Sequence, residues 1–304
     1  MKKLLMIVPL LLLLSAPVVY AQRWHHQPPP PSPAPAPAPA PVPLGSQNLC
    51  MNYGHQATSY NMTQVSQDLS ILSQAKINCL RLSYMGWNNL QSEALALYAK
   101  SKGFRVILGG DWGTLTPSQL SSYQSQVLTE AQWAQTNHID QLSLGNEQEY
   151  RLSGLTKDQW VSFLQSLASQ VKQVYSGQVS YETSGDFASY WATKSLGSID
   201  LLGLNVYCGY DCNANDVNIN IQAHGINHVY ISETNADMST GNYNNDSTHA
   251  SEVSGDTVKL LNLGVPLYFF TFSTCNNADG VPSYWGLFQC NNLAQPLTAA
   301  LLGI

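Results

Sequence analysis

From residue 44 onward the chain alternates short apolar runs with longer segments whose apolar residues recur every three or four positions. The runs cover residues 48–53, 79–84, 105–109, 139–144, 179–183, 199–207, 228–232 and 266–272. Each has the length and the β-branched or aromatic content of a strand. Between them, residues 63–75, 91–102, 120–136, 157–174 and 249–263 carry a helical pattern. Thr63 and Thr156 stand where helix N-caps belong, and Gly103 and Gly264 where helices stop. Eight strands alternating with helices over residues 45–304 predict an α/β protein with one (β/α)8 TIM barrel. A doubly wound open sheet is the competing arrangement, but no Gly-x-Gly-x-x-Gly follows an early strand. The interval between 179–183 and 199–207 is short, which predicts a stunted fifth helix.

The first 44 residues break this rhythm. Lys2 and Lys3 precede an apolar stretch at 4–14, and Val19-Tyr20-Ala21 offers a small-residue cleavage site. Residues 1–21 therefore read as a secretory signal peptide, too short in its apolar part to span a bilayer. No Cys follows the site, so a lipid anchor is not expected. Residues 22–44 form a Pro/Ala-rich linker, whose QPPPPSPAPAPAPAPVP run at 27–43 suits an extended polyproline-II spacer. A single catalytic domain, 45–304, then follows, and the expected location is extracellular, in association with a cell wall or surface.

Composition narrows the partner. Net charge is −6 and only 11% of residues are charged, which leaves no basic stripe for a nucleic acid. Polarity comes instead from Ser, Asn, Gln and Thr, which suits a neutral ligand such as a sugar, and no membrane partner is expected once the signal is removed. Six cysteines in a secreted chain favour disulfides. Cys208/Cys212 and Cys275/Cys290 each bracket a short loop and are the favoured pairs; Cys50 and Cys79 lie on predicted strands and read as buried thiols. No Cys/His spacing suits zinc, and His138 and His228, both just before strands, read as structural.

In a barrel of this kind, chemistry gathers at the carboxyl ends of the strands. Those ends present Arg81, Asp111-Trp112, Asn146-Glu147, Asn205 with Tyr207, Glu233, and an aromatic run at 268–272. The stretch LSLGNEQEY, residues 142–150, sets Glu147 just past an apolar strand, where a carboxylate is costly to hold. Glu147 and Glu233 would face one another across the barrel mouth. Two such carboxyls, one protonated and one ionised, are what glycosidic bond cleavage needs. A separation of about 5–5.5 Å gives retention through a covalent glycosyl-enzyme. Like-charge repulsion raises the pKa of one of the two and so supplies the acid.

Several motifs extend this into a resemblance. Asn52-Tyr53-Gly54, the run GFRVILG at 103–109, Gly145-Asn146-Glu147 with Tyr150-Arg151, Ser232-Glu233-Thr234 and the run YWGLF at 284–288 span nearly the whole domain. Together they resemble clan A retaining glycoside hydrolases, and most of all the β-1,3-glucanase and glucanosyltransferase family. The resemblance implies Glu147 as acid/base, Glu233 as nucleophile, Asn146 as the contact to the sugar 2-hydroxyl, and Tyr207 with Arg81 as the groups keeping Glu233 ionised. It implies no cofactor and no metal. Two stretches depart from the family: Glu233-Thr234-Asn235-Ala236-Asp237 lacks the usual Gly-Trp-Pro turn, and Ser273-Thr274-Cys275 replaces acidic residues after strand eight.

Asn205 and Asp111 complete the polar candidates, Asp111 for a sugar hydroxyl. Trp112 and Trp285, with Trp87, Tyr150 and Tyr210, are candidate stacking platforms, and Asn88, Asn89 and Asn276 candidate contacts beside them. Trp133 and Trp160 lie on helical segments and read as outer-layer packing. Of the remaining acids, Glu149 would point away from Glu147, and Glu182 would line the cleft or pair with a cation. The expected activity is that of a monomeric, secreted, endo-acting β-1,3- or β-1,4-glucanase, with mannan as an alternative polymer. A transglycosylase using the same site and a non-catalytic wall-polysaccharide binder are the competing functions.

Overall fold

Eight parallel strands close on themselves in the order in which the chain makes them, β1 pairing with both β2 and β8. They are β1 Leu49–Asn52, β2 Cys79–Leu82, β3 Arg105–Leu108, β4 Gln141–Asn146, β5 Gln178–Ser184, β6 Leu201–Asn205, β7 Val229–Thr234 and β8 Leu267–Phe269. The helices described along their whole length are α1 Met62–Gln74, α2 Leu90–Ser101, α3 Leu120–Thr136, α4 Lys157–Val174, α5 Ala188–Trp191 and α6 Ala214–His224, and a further one is described only over its last turn, ending at Leu261. This is the predicted (β/α)8 barrel. A computed structural model describes residues 49–53, 61–82, 87–110, 112–207, 214–234, 257 and 259–270. Most of the expected 249–263 helix lies outside them, as do the signal peptide, the linker and the four cysteines of the favoured pairs.

Alternation along each strand divides the side chains between two environments. Leu80, Leu82, Val106, Leu108, Leu142, Leu144, Val179, Tyr181, Leu202, Leu204 and Ile231 join the helices in the main apolar core. The intervening residues face the lumen, where Cys50, Cys79, Ile107, Tyr230 and Tyr268 form a second buried cluster. Above that layer the lumen becomes polar, with Asn52, Arg81, Ser143, Glu182, Asn205 and Ser232 all buried. Burial on both strand faces explains why the runs read as nearly continuous apolar segments.

Cys50 and Cys79 are joined as a disulfide, not left as thiols. The residues after them, Met51 and Leu80, pair across β1 and β2, so the two cysteines sit side by side on neighbouring strands. Their separation of 29 residues in sequence closes a loop whose restriction of the unfolded ensemble is worth about 3.6 kcal/mol. The Cys50→Ala/Cys79→Ala double variant should therefore unfold at lower urea by that margin. An unchanged midpoint would show that the bond contributes nothing.

The helix signals were partly misplaced. Thr156 caps α4 in a capping box with Gln159. For α1 the cap is Asn61, not Thr63, because the Asn61 side chain reaches the amides of Thr63 and Gln64. Asn89, expected at the sugar, accepts from Gln91 and Ser92 and caps α2. Gly103 and Gly264 do end helices, at φ of +85° and +76°. The fifth helix is stunted to four residues. Trp160 is buried, its indole N–H donating to the Tyr181 hydroxyl at 3.2 Å, and Trp133 packs partly buried on the same core.

Candidate active site

The two strands that carry the expected acids each run two residues past their predicted ends. β4 reaches Asn146 and β7 reaches Thr234, and both show register shifts near their carboxyl ends. Such irregularities re-aim side chains at a barrel rim. Gly145 helps here: at φ +145° an added Cβ would strike the Tyr123 hydroxyl, which donates to the Leu144 carbonyl. Glu147, two residues on, lies in the left-handed region, at φ 49° and ψ 34°. For a residue other than Gly this conformation is uncommon and is held only by its surroundings. The Glu147 amide donates to the Glu182 carbonyl at 2.9 Å, and its carbonyl accepts from the Tyr150 amide at 3.3 Å.

Arg81 is the hub. Its Nη1 donates to Glu233 Oε1 at 2.7 Å and to Asn52 Oδ1 at 2.8 Å, while Nη2 donates to Asn146 Oδ1 at 3.0 Å. Glu182 Oε2 lies 3.6 Å from Nη2, so one guanidinium serves two buried carboxylates. Glu182 is further held by the hydroxyls of Ser143, Ser180 and Tyr230. Of its two expected roles, it takes the cation pairing. The other oxygen of Glu233 accepts from the Tyr207 hydroxyl. Asn205 Nδ2 donates both to Asn146 Oδ1 at 3.0 Å and to Glu147 Oε1 at 2.9 Å, and its own oxygen accepts from Ser232 at 2.6 Å. A continuous hydrogen-bonded chain thus links Glu147, Asn205, Asn146, Arg81 and Glu233.

The two acids sit in unlike surroundings. Glu233 is buried beside a fixed positive charge. Glu147 has its pKa pushed up to about 7, first by burial and then by the nearby Glu233 carboxylate, against the opposing effects of the Asn205 hydrogen bond and the charges of Arg151 and Arg81. Desolvation and a like charge both favour the protonated acid, so near neutrality Glu147 is the carboxyl able to give a proton.

Six of the expected site residues, Arg81, Asn146, Glu147, Asn205, Tyr207 and Glu233, meet in this network. Asp111 and Trp285 lie outside the described residues, as do Tyr210 and Asn276. Trp112 is half-buried, edge-on to Tyr123 at 5.3 Å, with its carbonyl accepting from Arg151. Trp87 is core, not a platform: it is buried edge-on to Tyr123 at 6.0 Å. Tyr150 is the open aromatic, 53% exposed beside Glu147. Its hydroxyl donates to Asp186 and lies 3.0 Å from Ser184 Oγ. Asn52 and Ser232 stand within the sequence motifs, but the sequence assigns neither a role. Their polarity at lumen-facing strand positions was the signal available for both.

No protein-family model matches the chain, and no curated protein matches it in sequence. Solved structures do match in shape. A GH113 β-1,4-mannanase superimposes with a TM-score of 0.62 at 13% identity, covering 84% of this chain and 98% of its own. A family 17 β-1,3-glucanosyltransferase from Rhizomucor miehei gives 0.61 at 16% identity, with 83% and 97% covered. A β-glucuronidase from Ruminococcus gnavus gives 0.62 at 14%, with 84% of this chain and 49% of that one covered. The shared feature is the barrel. At these identities the likeness is one of fold, and any chemistry rests on the residues themselves.

Proposed function

We propose that the chain is a secreted, retaining β-glycoside hydrolase acting on a β-linked glucan. What carries the reading is the unequal pair: Glu233 held by Arg81 and Tyr207, and Glu147 pushed to about 7 beside it. In the first step the Glu233 carboxylate attacks the anomeric carbon while the bond to the leaving oxygen breaks. Glu147 gives that oxygen its proton. In the second step Glu147, now a base, takes a proton from water, whose oxygen attacks the same carbon and expels Glu233. Two inversions leave the anomeric configuration unchanged.

The neighbours supply what these steps need. Arg81 and Tyr207 donate to the two oxygens of Glu233 and hold it in place as the nucleophile. Because Asn146 accepts through its oxygen from Arg81 and Asn205, its amide nitrogen is the donor left for the sugar 2-hydroxyl. Tyr150 and Trp112 offer ring faces to pyranose C–H surfaces. In this reading Asp111 and Trp285 complete the cleft, residues 1–21 direct export, and 22–44 space the 45–304 domain from its attachment. Transfer of the glycosyl group to a sugar hydroxyl, in place of water, is the neighbouring activity on the same intermediate.

The test is hydrolysis of defined β-1,3-glucan, β-1,4-glucan and β-mannan, with the first-formed anomer followed by proton NMR and longer oligosaccharides followed by mass. We expect the β anomer from a glucan. A first-formed α anomer, or no turnover of any of the three, would remove the retaining assignment.

A further inference from the structure

Glu149, two residues beyond the acid/base, is 7% exposed, and no ion pair to it is found among the described residues. A carboxyl buried in that way demands a reason, since desolvation favours its removal. Its surroundings are built for it. Oε1 accepts from the Trp191 indole N–H at 2.6 Å and from Thr183 Oγ1 at 2.9 Å, while Oε2 accepts from the Tyr181 hydroxyl at 2.6 Å. Tyr181, Thr183 and Trp191 are themselves fully buried. The donors come from β5 and α5, whereas Glu149 rides on the single turn Gln148–Arg151 that follows Glu147. The Tyr181 hydroxyl also accepts from the Gln148 amide at 3.1 Å, so two successive residues of the turn are tied to one tyrosine.

Glu147 occupies a left-handed conformation that local preference does not favour. On its amino side the backbone is fixed by the Glu182 carbonyl, and on its carboxyl side the strong anchor is the Glu149 carboxyl. Without that anchor the turn would keep the Gln148, Tyr150 and Arg151 bonds but lose its three donors from β5 and α5, loosening the aim of the Glu147 carboxyl at Asn205 and Glu233. We infer that Glu149 is a positioning residue for the acid/base, tethering the turn to β5 and to the shortened α5 so that Glu147 faces its partner carboxylate. This rests on the glycosidase reading above. It also gives the stunted fifth helix a purpose, since α5 delivers the Trp191 donor.

The experiment compares kcat/KM on two substrates in the parent enzyme, Glu149→Ala, Glu149→Gln and Trp191→Phe. One is a glycoside of an unactivated alcohol, which needs a proton at its leaving oxygen; the other carries dinitrophenolate, which does not. A positioned general acid contributes about 10²–10⁴-fold, so Glu149→Ala should lose about 10²-fold on the first substrate and under about 3-fold on the second. The alkaline limb of its pH profile should also move away from the parent's. Glu149→Gln, which keeps an acceptor oxygen, should recover part of the loss. Equal losses on both substrates, with the alkaline limb unmoved, would reduce Glu149 to a structural role and overturn the inference. If Glu149→Ala does not fold, Trp191→Phe decides, since it deletes one donor and leaves a smaller aromatic ring in its place; its loss must show the same leaving-group bias. Glu147→Ala is measured alongside. If it shows no bias the acid/base assignment itself fails, whereas bias there and none in the Glu149 and Trp191 variants overturns the tether alone.

Discussion

Replacing Glu233 by alanine is expected to lower kcat/KM on a β-glucan by roughly four orders of magnitude or more, as for loss of a nucleophile in other covalent catalysts. The fold should persist, because Arg81 keeps Glu182 as a partner at 3.6 Å, and near-UV circular dichroism would check this. Added azide offers a sharper reading. With a dinitrophenyl glycoside, azide can enter the space vacated by the carboxylate and attack the anomeric carbon from the same face. One inversion then gives the α-glycosyl azide. Substantial residual turnover, or a β-azide product, would show that another group is the nucleophile.

Glu147→Gln is the second large effect, and its sign follows from the raised pKa. The proton must be on Glu147 when the substrate arrives, so parent kcat/KM should be highest below about 7 and fall tenfold per pH unit above it. Glutamine cannot release a proton. The variant should lose about 10²–10⁴-fold on unactivated substrates. Its profile should be flat through neutrality on dinitrophenyl substrates. Parent activity that instead climbs from pH 7 to 9 would contradict the assignment of Glu147 as acid.

The barrel was legible because its strands are buried on both faces, and apolar runs bounded by Gly and capping residues are the direct trace of that burial. The ends of β4 and β7 run past the apolar signal because Asn146 and Glu233 look like loop residues until the polar lumen around Arg81 gives them partners, and Thr234 until β8 pairs with it. The Cys50–Cys79 bond was missed for a related reason. Proximity in sequence favours short loops, whereas these cysteines meet through strand pairing, which the sequence does not display. Asn89 and Trp87 were placed at the sugar on position alone. One turned out to serve helix α2, and the other filled space over Tyr123.

Glu147 and Glu233 come into one network despite such errors because each lies on its own strand end, independent of exact boundaries. Glu149 and Asn52 did not stand out, since each acts through a neighbour: one through the turn that carries Glu147, the other by accepting from Arg81. Residues of this sort announce themselves only when their hydrogen-bond partners are known.

The shared guanidinium has one further consequence. Arg81 is one cation set between two buried carboxyls, Glu233 at 2.7 Å and Glu182 at 3.6 Å. In the proposed cycle Glu147 gives up its proton as Glu233 is esterified, so the negative charge passes from one acid to the other while Arg81 keeps Glu182 as its partner. The covalent stage therefore holds a base ready at Glu147, and whichever hydroxyl arrives first, from water or from a carbohydrate, determines the product.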